Sequence, residues 1–368
     1  MIVNSNQKSA LTLISVLVSI ISTTFLISIL ARGYIPEYDN GLKITATGLL
    51  SATSIPKNAS IIINDKLYST TDNTINLVPN DYQLKIIKDG YLPWTKKITI
   101  QKEMVYQAEA NLFKTNPKLS ILTTDGAIAA TPNLDQSQII YIAPPSSTSA
   151  KPGIYLIETN YYLPLITNKY QPKFITQNPF AINDKTITFT FSPNSKQVIV
   201  KSIQKHTSYL IDLTTNEVTT PTAKTTQDWQ TQSNQINLAN INKLPKLFTS
   251  KIATNPASVQ FSSDENKFFY LNDKQYFCYD IEKDMLYQIG AQNEINSPFW
   301  LPKSNSIIYG NSGKIKSMEF DGSNNNTIFS NDYIIKTIIP QYDGEKLIIA
   351  TSIGTSSTIE NIYSLTIR

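Results

Sequence analysis

FSPNSKQVIV, residues 191–200, reads as a tight turn feeding a short strand. Pro193 presets φ and Asn194 tolerates the left-handed region, so Ser192-Pro193-Asn194-Ser195 has turn chemistry. Val198, Ile199 and Val200 form a β-branched run suited to a buried strand. Looser copies recur as TPNLDQSQIIYIA at 131–143, FSSDENKFFY at 261–270, WLPKSNSIIYG at 300–310 and PQYDGEKLIIA at 340–350. The last three start roughly 40 residues apart, the length of one four-stranded repeat.

A second signature follows the first four copies. An apolar strand runs into a polar turn: IYLI at 154–157 into Glu158-Thr159-Asn160, and YLIDL at 209–213 into Thr214-Thr215-Asn216. FCYDI at 277–281 runs into Glu282-Lys283-Asp284, and IKSMEF at 315–320 into Asp321-Gly322-Ser323. Such a unit cannot bury its own faces, so neighbours must stack on it. The repeat resembles that of the TolB and WD40-like propellers, whose consensus reads roughly Phe-Ser-Pro-Asp-Gly-Lys before an apolar strand. Phe191-Ser192-Pro193-Asn194-Ser195-Lys196 matches it best, Phe261-Ser262-Ser263-Asp264 next, and Tyr342-Asp343-Gly344-Glu345-Lys346 in part. The resemblance implies a β-propeller over residues 116–368. Five blades are legible, and WQTQSNQINL at 229–238 is read as a degenerate sixth. Six blades are expected, with five or seven as alternatives. The strand at 361–367, or the one near 119–122, is expected to close the ring.

A chain of 368 residues has room for two domains or more. Charged residues make up 16%, the net charge is +4, and no Lys/Arg block occurs, which argues against nucleic acid as a partner. Twenty tyrosines and recurrent Ile, Thr, Asn and Ser point to a mainly β protein. Cys278 is the one cysteine and His206 the one histidine, so no intramolecular disulfide forms. The same two counts argue against a zinc site, a Cys/His dyad or a two-histidine metal site, and no cofactor is expected.

Residues 9–31 contain no charge, and their core is LTLISVLVSIISTTFLISIL at 11–30. About 20 apolar residues suffice to cross roughly 30 Å of hydrocarbon. Ser and Thr hydroxyls can bond back to the preceding turn, so they do not veto insertion. The run exceeds the roughly 7–15 residues of a signal-peptide core, and Leu30-Ala31-Arg32 lacks a small-x-small cleavage pattern. The expected partner of residues 9–31 is therefore the lipid bilayer, with 1–32 as tail and transmembrane helix. Lys8 and Arg32 nearly balance across the span. The short tail favours a topology with everything from about residue 33 onward outside the cytoplasm.

Residues 33–47 read as a polar linker, and closely spaced strand patterns follow over 48–115. Asn64-Asp65 can supply the positive φ values of a tight hairpin. Tyr82, Leu84 and Ile86 alternate with Gln83, Lys85 and Ile87, and Asp89-Gly90 makes a turn. The order SATSIPKNASIIINDKLYSTT, then INLVPNDYQLKIIKDGYLPWTKKI, resembles the PEGA domain. At the stretch that names the family this chain has Pro56-Lys57-Asn58-Ala59, keeping Pro and Ala. Leu77, Pro79, Asn80, Tyr82 and the Gly90-Tyr91 pair also match, with Asn80 in place of the usual Gly. The resemblance implies a small β-sandwich found in surface and exported proteins, and it supplies no catalytic residue.

Catalytic patterns are missing. There is no Gly-x-Ser-x-Gly elbow, sialidase-type Asp box, Gly-rich phosphate loop or Asp-rich calcium loop. His206 lies in a polar turn before a strand and reads as solvent-exposed. Asp264-Glu265, Asp280 and Glu282 read as solvated turn acids, and Cys278 as a small buried hydrophobe. Tyr91, Trp94, Trp229 and Trp300 are the candidate binding residues, since aromatic faces stack on sugars and anchor protein partners. Burial is the competing role for Trp94 and for Tyr82. The expectation is a non-catalytic, membrane-anchored extracytoplasmic binding or scaffold protein of the cell envelope, recognising protein or glycan. The alternatives are a surface hydrolase using carboxylates at the propeller mouth and a structural envelope subunit similar to TolB.

Overall fold

Helix α1 (Ser5–Ala31) opens the chain in the computed structural model, which describes residues 5–31, 34–38, 42–145, 151–159, 171–180, 184, 186–244, 259–333, 335–353 and 360–368. At about 1.5 Å per residue its 27 residues reach roughly 40 Å, beyond the ~30 Å of bilayer hydrocarbon. The window Thr12–Ile29 has a mean hydropathy of 2.2 and none of it is buried. The Thr23 hydroxyl donates to the Ser19 carbonyl at 2.8 Å, so this polar group is satisfied within the helix. By length and composition α1 is able to cross a membrane.

The chain divides into two units, Met1–Leu112 and Phe113–Arg368. In the first, β1 (Tyr34–Tyr38) and β2 (Leu42–Ala46) pair antiparallel, with Tyr34 opposite Ala46. Within the stretch 33–47, which was expected to be a linker, Ile35, Ile44 and Thr45 are strand formers, and the segments 34–38 and 42–46 satisfy each other's backbone groups. Seven strands follow: β3 (Gly48–Ile55), β4 (Ser60–Ile63), β5 (Lys66–Thr70), β6 (Asn73–Leu77), β7 (Asn80–Ile87), β8 (Trp94–Ile100) and β9 (Val105–Asn111). They form a three-stranded sheet, β6-β3-β9, and a four-stranded sheet, β5-β4-β7-β8. β3 and β9 are parallel, and the remaining pairs are antiparallel. The inward residues of both sheets, among them Leu50, Ala52, Ile61, Ile63, Leu84, Ile86, Ile98 and Ala108, make one core. Asn64 and Asp65 have φ values of 47° and 62°, so the turn between β4 and β5 takes the positive-φ form its residues favour.

The second unit begins with β10 (Lys118–Ile121). The first complete sheet is β11 (Ile128–Pro132), β12 (Gln138–Ala143), β13 (Gly153–Glu158) and β14 (Lys173–Thr176). The next is β15 (Ile187–Phe191), β16 (Gln197–Ser202), β17 (Thr207–Asp212) and β18 (Val218–Thr219). Helix α2 (Ala223–Asn242) intervenes. Then come β19 (Gln260–Phe261), β20 (Lys267–Asn272), β21 (Gln275–Asp280) and β22 (Met285–Ala291), followed by β23 (Asn296–Trp300), β24 (Ser306–Asn311), β25 (Lys314–Glu319) and β26 (Asn326–Ser330). β27 (Thr337–Pro340), β28 (Lys346–Thr351) and β29 (Asn361–Thr366) form the last sheet, and β10 supplies its fourth strand. Repeated four-stranded antiparallel sheets, built from consecutive strands with β10 as the exception, are the blades of a β-propeller. Among the described residues the second unit has five such sheets.

The stretch 229–238, expected to be a sixth blade, lies inside α2. Its polar residues do not alternate with apolar ones, so it has no face to pair as a strand, and a cap starts it as a helix. The Thr222 hydroxyl accepts the Thr225 amide at 3.2 Å, while the Thr225 hydroxyl accepts the Thr222 amide at 3.3 Å. The two strands expected to close the ring pair with each other, Lys118 with Thr366 and Ile121 with Tyr363.

All five SPNS-like copies fall on the hairpin between the first and second strands of a sheet. One side chain closes each turn by accepting the amide two residues on. Asp135 accepts from Ser137 at 3.1 Å, Asn194 from Lys196 at 3.1 Å, Asp264 from Asn266 at 3.2 Å, Ser304 from Ser306 at 3.2 Å and Asp343 from Glu345 at 2.9 Å. A residue in the left-handed region follows in four of them: Gln136, Ser195, Glu265 and Gly344, with φ from 56° to 70°. Neighbouring sheets share cores. Ile139, Ile157, Ile339, Ile348 and Ile362 join the last sheet to the first, and Ile142, Ile154, Phe189 and Val200 join the first to the second. Phe269, Cys278, Trp300, Ile307 and Met318 join the third to the fourth.

Candidate functional site

The first strands of the sheets neighbour one another, β11 beside β15 and β27, and β19 beside β23. Side chains stitch them together. The Thr337 hydroxyl donates to the Ala130 carbonyl at 2.9 Å, tying β27 to β11. Trp300 Nε1 donates to the Gln260 carbonyl at 3.0 Å, and Gln260 Nε2 to the Pro298 carbonyl at 3.2 Å, tying β19 to β23. The five first strands read IAATP, ITFTF, QF, NSPFW and TIIP, and none carries an ionisable side chain. Thr188, Thr190, Gln260, Asn296 and Ser297 remain exposed on them. They offer neutral hydroxyl and amide groups, which can donate and accept hydrogen bonds without the desolvation cost of a charge.

A cavity of about 250 Å³ opens beside β22, β24 and β25. Within its lining, the Tyr309 hydroxyl donates to Asn325 Oδ1 at 2.9 Å, and Asn311 Nδ2 donates to the Glu294 carbonyl at 2.8 Å. Lys316 Nζ lies 5.9 Å from the centre of the Tyr309 ring. Burial pushes the Tyr309 hydroxyl above its ordinary range, and the Glu294 charge adds to this. The space is below the roughly 300 Å³ at which drug-sized ligand sites begin, so it suits one small polar group.

Two of the acids singled out in the sequence, Asp264 and Asp280, serve the fold. Asp264 accepts the Ser262 hydroxyl at 2.6 Å besides closing its turn. Asp280 is not solvated: it is 1% exposed, lies opposite Lys267 in register and accepts the Lys283 amide at 3.1 Å. His206 is exposed in the turn before β17, with φ 54°. Among the described residues no group of His, Cys, Asp and Glu could hold a metal ion.

In the first unit a polar depression of about 400 Å³ lies on the β6-β3 face, lined by Ser51, Thr53, Asp72, Asn73 and Thr74. Near the end of β3, Asn58 takes φ 59° and Ala59 is fully buried, with its amide bonded to the Thr71 hydroxyl at 2.9 Å. The retained alanine of the Pro56-Lys57-Asn58-Ala59 stretch is thus a core residue. Residues 47–116 match the PEGA domain family. No curated protein matches the chain. Among solved structures, a putative TolB from Agrobacterium tumefaciens is 11% identical over 85% of this chain and 99% of that one, with a TM-score of 0.21. TolB from Acinetobacter baumannii is 17% identical over 77% of this chain and 59% of that one, with a TM-score of 0.22. U3-55K is 8% identical over 68% of this chain and 100% of that one, with a TM-score of 0.33.

The four aromatic candidates occupy different settings. In the PEGA unit, Trp94 is 3% exposed and belongs to the core, with Lys96 Nζ 5.8 Å from its ring centre, while Tyr91 is half-buried against the same core. Tyr82, the residue with burial as its competing role, also packs there half-buried. In the propeller, Trp300 is 7% exposed and packs on Phe269 at 5.6 Å between ring centres. Trp229 is half-buried on α2. Tyr91 and Trp94 belong to the first unit, and Trp229 and Trp300 to the second. The exposed neutral groups of the first strands escaped the sequence reading because nothing in a pattern such as ITFTF says which face meets a neighbouring blade.

Proposed function

We propose that this chain is a non-catalytic, membrane-anchored binding or scaffold protein of the cell envelope, with its PEGA unit and propeller outside the cytoplasm. α1 serves as the single span, and the propeller recognises a protein or a glycan. The observation that carries this reading is the neutral, hydrogen-bonding character of the first strands. A hydrolase at the propeller mouth would need two carboxylates at a set separation across a cleft. The acids near the strand ends are instead spent on turns, as Asp264 and Asp343 are. Exposed neutral polar groups on these strands suit recognition by hydrogen bonds.

Protease protection on intact cells carrying a C-terminal tag tests the placement. External protease is expected to remove the tag, and a tag protected until the membrane is opened would put the propeller on the cytoplasmic side. The binding role is tested by crosslinking on the same cells with wild type and with Thr190→Arg or Asn296→Arg. Both positions are exposed, so the fold should tolerate the change. A crosslinked partner that persists unchanged in both variants would exclude the first strands as the recognition surface.

A further inference from the structure

We propose that one end of the PEGA sandwich rests on the bilayer, with Val78, Met104 and Val105 inserted at the membrane surface. The proposal rests on the reading of α1 as a membrane span. Its grounds are the convergence of four chain segments on that end. Gly48, the first residue of β3, pairs with Leu77, the last of β6, and Leu49 pairs with Val105, the first of β9. Val78 and Met104 therefore lie in the turns at the same end as the start of β3. All three apolar side chains point away from the core: Val78 is 52% exposed, Met104 57% and Val105 55%.

The end of α1 is tied to this same place. Tyr34 pairs with Ala46, just before β3, and its hydroxyl donates to Glu103 Oε1 at 2.5 Å. The Glu103 amide donates to the Thr47 carbonyl at 3.0 Å, and the Leu49 amide to the Met104 carbonyl at 2.9 Å. Tyr34 is three residues beyond Ala31, where α1 ends, so the covalent chain lets it lie at most about 11 Å away. The polar headgroup layer of a bilayer is roughly 5–8 Å deep on each side. A helix that spans the hydrocarbon thus delivers Tyr34, and the turn it holds, to the headgroup zone.

The chemistry of this end suits that zone. Tyrosine is enriched at membrane interfaces because its ring is apolar and its hydroxyl polar. Lys102 Nζ lies 5.5 Å from the Tyr34 ring centre and 3.6 Å from Glu103 Oε1, so the Glu103 charge is offset locally. Lys102 is half-exposed and long enough to reach phosphate while its stem stays low. Asp81, also at this end, accepts the Thr99 hydroxyl at 2.7 Å. β7 runs from Asn80 at this end to Ile87 at the other, so Asp89 lies roughly 25 Å away at 3.3 Å per residue. The chain also leaves the sandwich at the far end, where the Leu112 amide donates to the Ile55 carbonyl at 2.8 Å.

The test uses the full chain in phosphatidylcholine nanodiscs carrying doxyl-labelled lipid. A fluorophore is attached through Met104→Cys, Val78→Cys, Asp89→Cys or Ile21→Cys. The native Cys278 is fully buried and does not compete for the label in the folded protein. All four positions are exposed, so the variants should fold. Doxyl groups near the headgroups are expected to abolish most of the emission at positions 104 and 78 and to leave position 89 bright. Deep doxyl groups should quench position 21. If position 21 is quenched while 104 and 78 behave like 89, the surface contact is overturned and the span stands. If position 21 is not quenched, the span reading fails and the contact fails with it.

Discussion

Asp184 shows how much of this fold is closed by single side chains. It is buried, it accepts the Ser202 hydroxyl, and it takes the Thr186 hydroxyl at 2.5 Å and the Thr186 amide at 2.8 Å. The Ser202 bond first, then those from Thr186, hold its carboxyl below the ordinary 3.8, with burial acting in the opposite direction. A folded pKa below the unfolded one stabilises the protein above about pH 4, and this is lost as pH falls through the folded value. In urea titrations, wild type should therefore be more stable than Asp184→Asn at neutral pH, and the two midpoints should converge below about pH 4. A gap that stayed constant down to pH 2 would show that ionisation of Asp184 plays no part. Gly48 gives a second expectation from close approach. A Cβ there would lie 2.2 Å from the Gln101 carbonyl oxygen and 2.6 Å from Ile100 Cγ2. A backbone carbonyl cannot step aside, so Gly48→Ala should destabilise the PEGA unit by about 1–3 kcal/mol, the usual range for overpacking. A lowered denaturation midpoint with an unchanged m-value would report it.

Among the elements, the hairpins were legible and the helix between blades was not. FSPNSKQVIV and its four relatives could be read because turn residues and β-branched runs act locally. Asn194 closes its own turn, and Val198 to Val200 need a partner strand of either hand. The same logic located the PEGA hairpin at Asn64-Asp65. WQTQSNQINL was misread because the spacing of the repeats invited a blade there, while its own residues said otherwise. It lacks alternation and follows the Thr222/Thr225 cap. Thr225, Trp229 and Ser233 recur at helical spacing as half-buried positions of α2. The pairing of 34–38 with 42–46 escaped the sequence for a related reason: two strands of five residues each have too little pattern to stand out from polar neighbours. The α2 cap carries its own test. Thr222→Ala removes the hydroxyl that accepts the Thr225 amide and should cost about 1 kcal/mol. Amide exchange over the first turns of α2 should then speed roughly fivefold, with no change in the sheet amides.

For the whole molecule, what holds the propeller together is a contact between distant parts of its sequence. β10 opens the unit and pairs with β29 near its end, and Lys114 Nζ also donates to the Arg368 carbonyl. Which of the two candidate closing strands would serve could not be read from sequence, since register between segments some 245 residues apart leaves no local trace. The structure pairs the two with each other in the last sheet, and this makes β29 critical. It pairs on one side with β10 and on the other with β28, and Ile362, Leu365 and Ile367 are fully buried around it. Losing three such side chains forfeits about 5–9 kcal/mol of burial, comparable to the roughly 5–15 kcal/mol that a whole domain has in reserve. A chain ended at Glu360 should therefore fail to fold its second unit. The PEGA unit has its own core and should be spared. Calorimetry on the intact chain is expected to show two transitions, and on the shortened chain one, with protease reducing it to a resistant fragment ending near Leu112. A shortened chain that kept both transitions would mean that β27 and β28 hold their place without β29, and that the second unit does not depend on that strand.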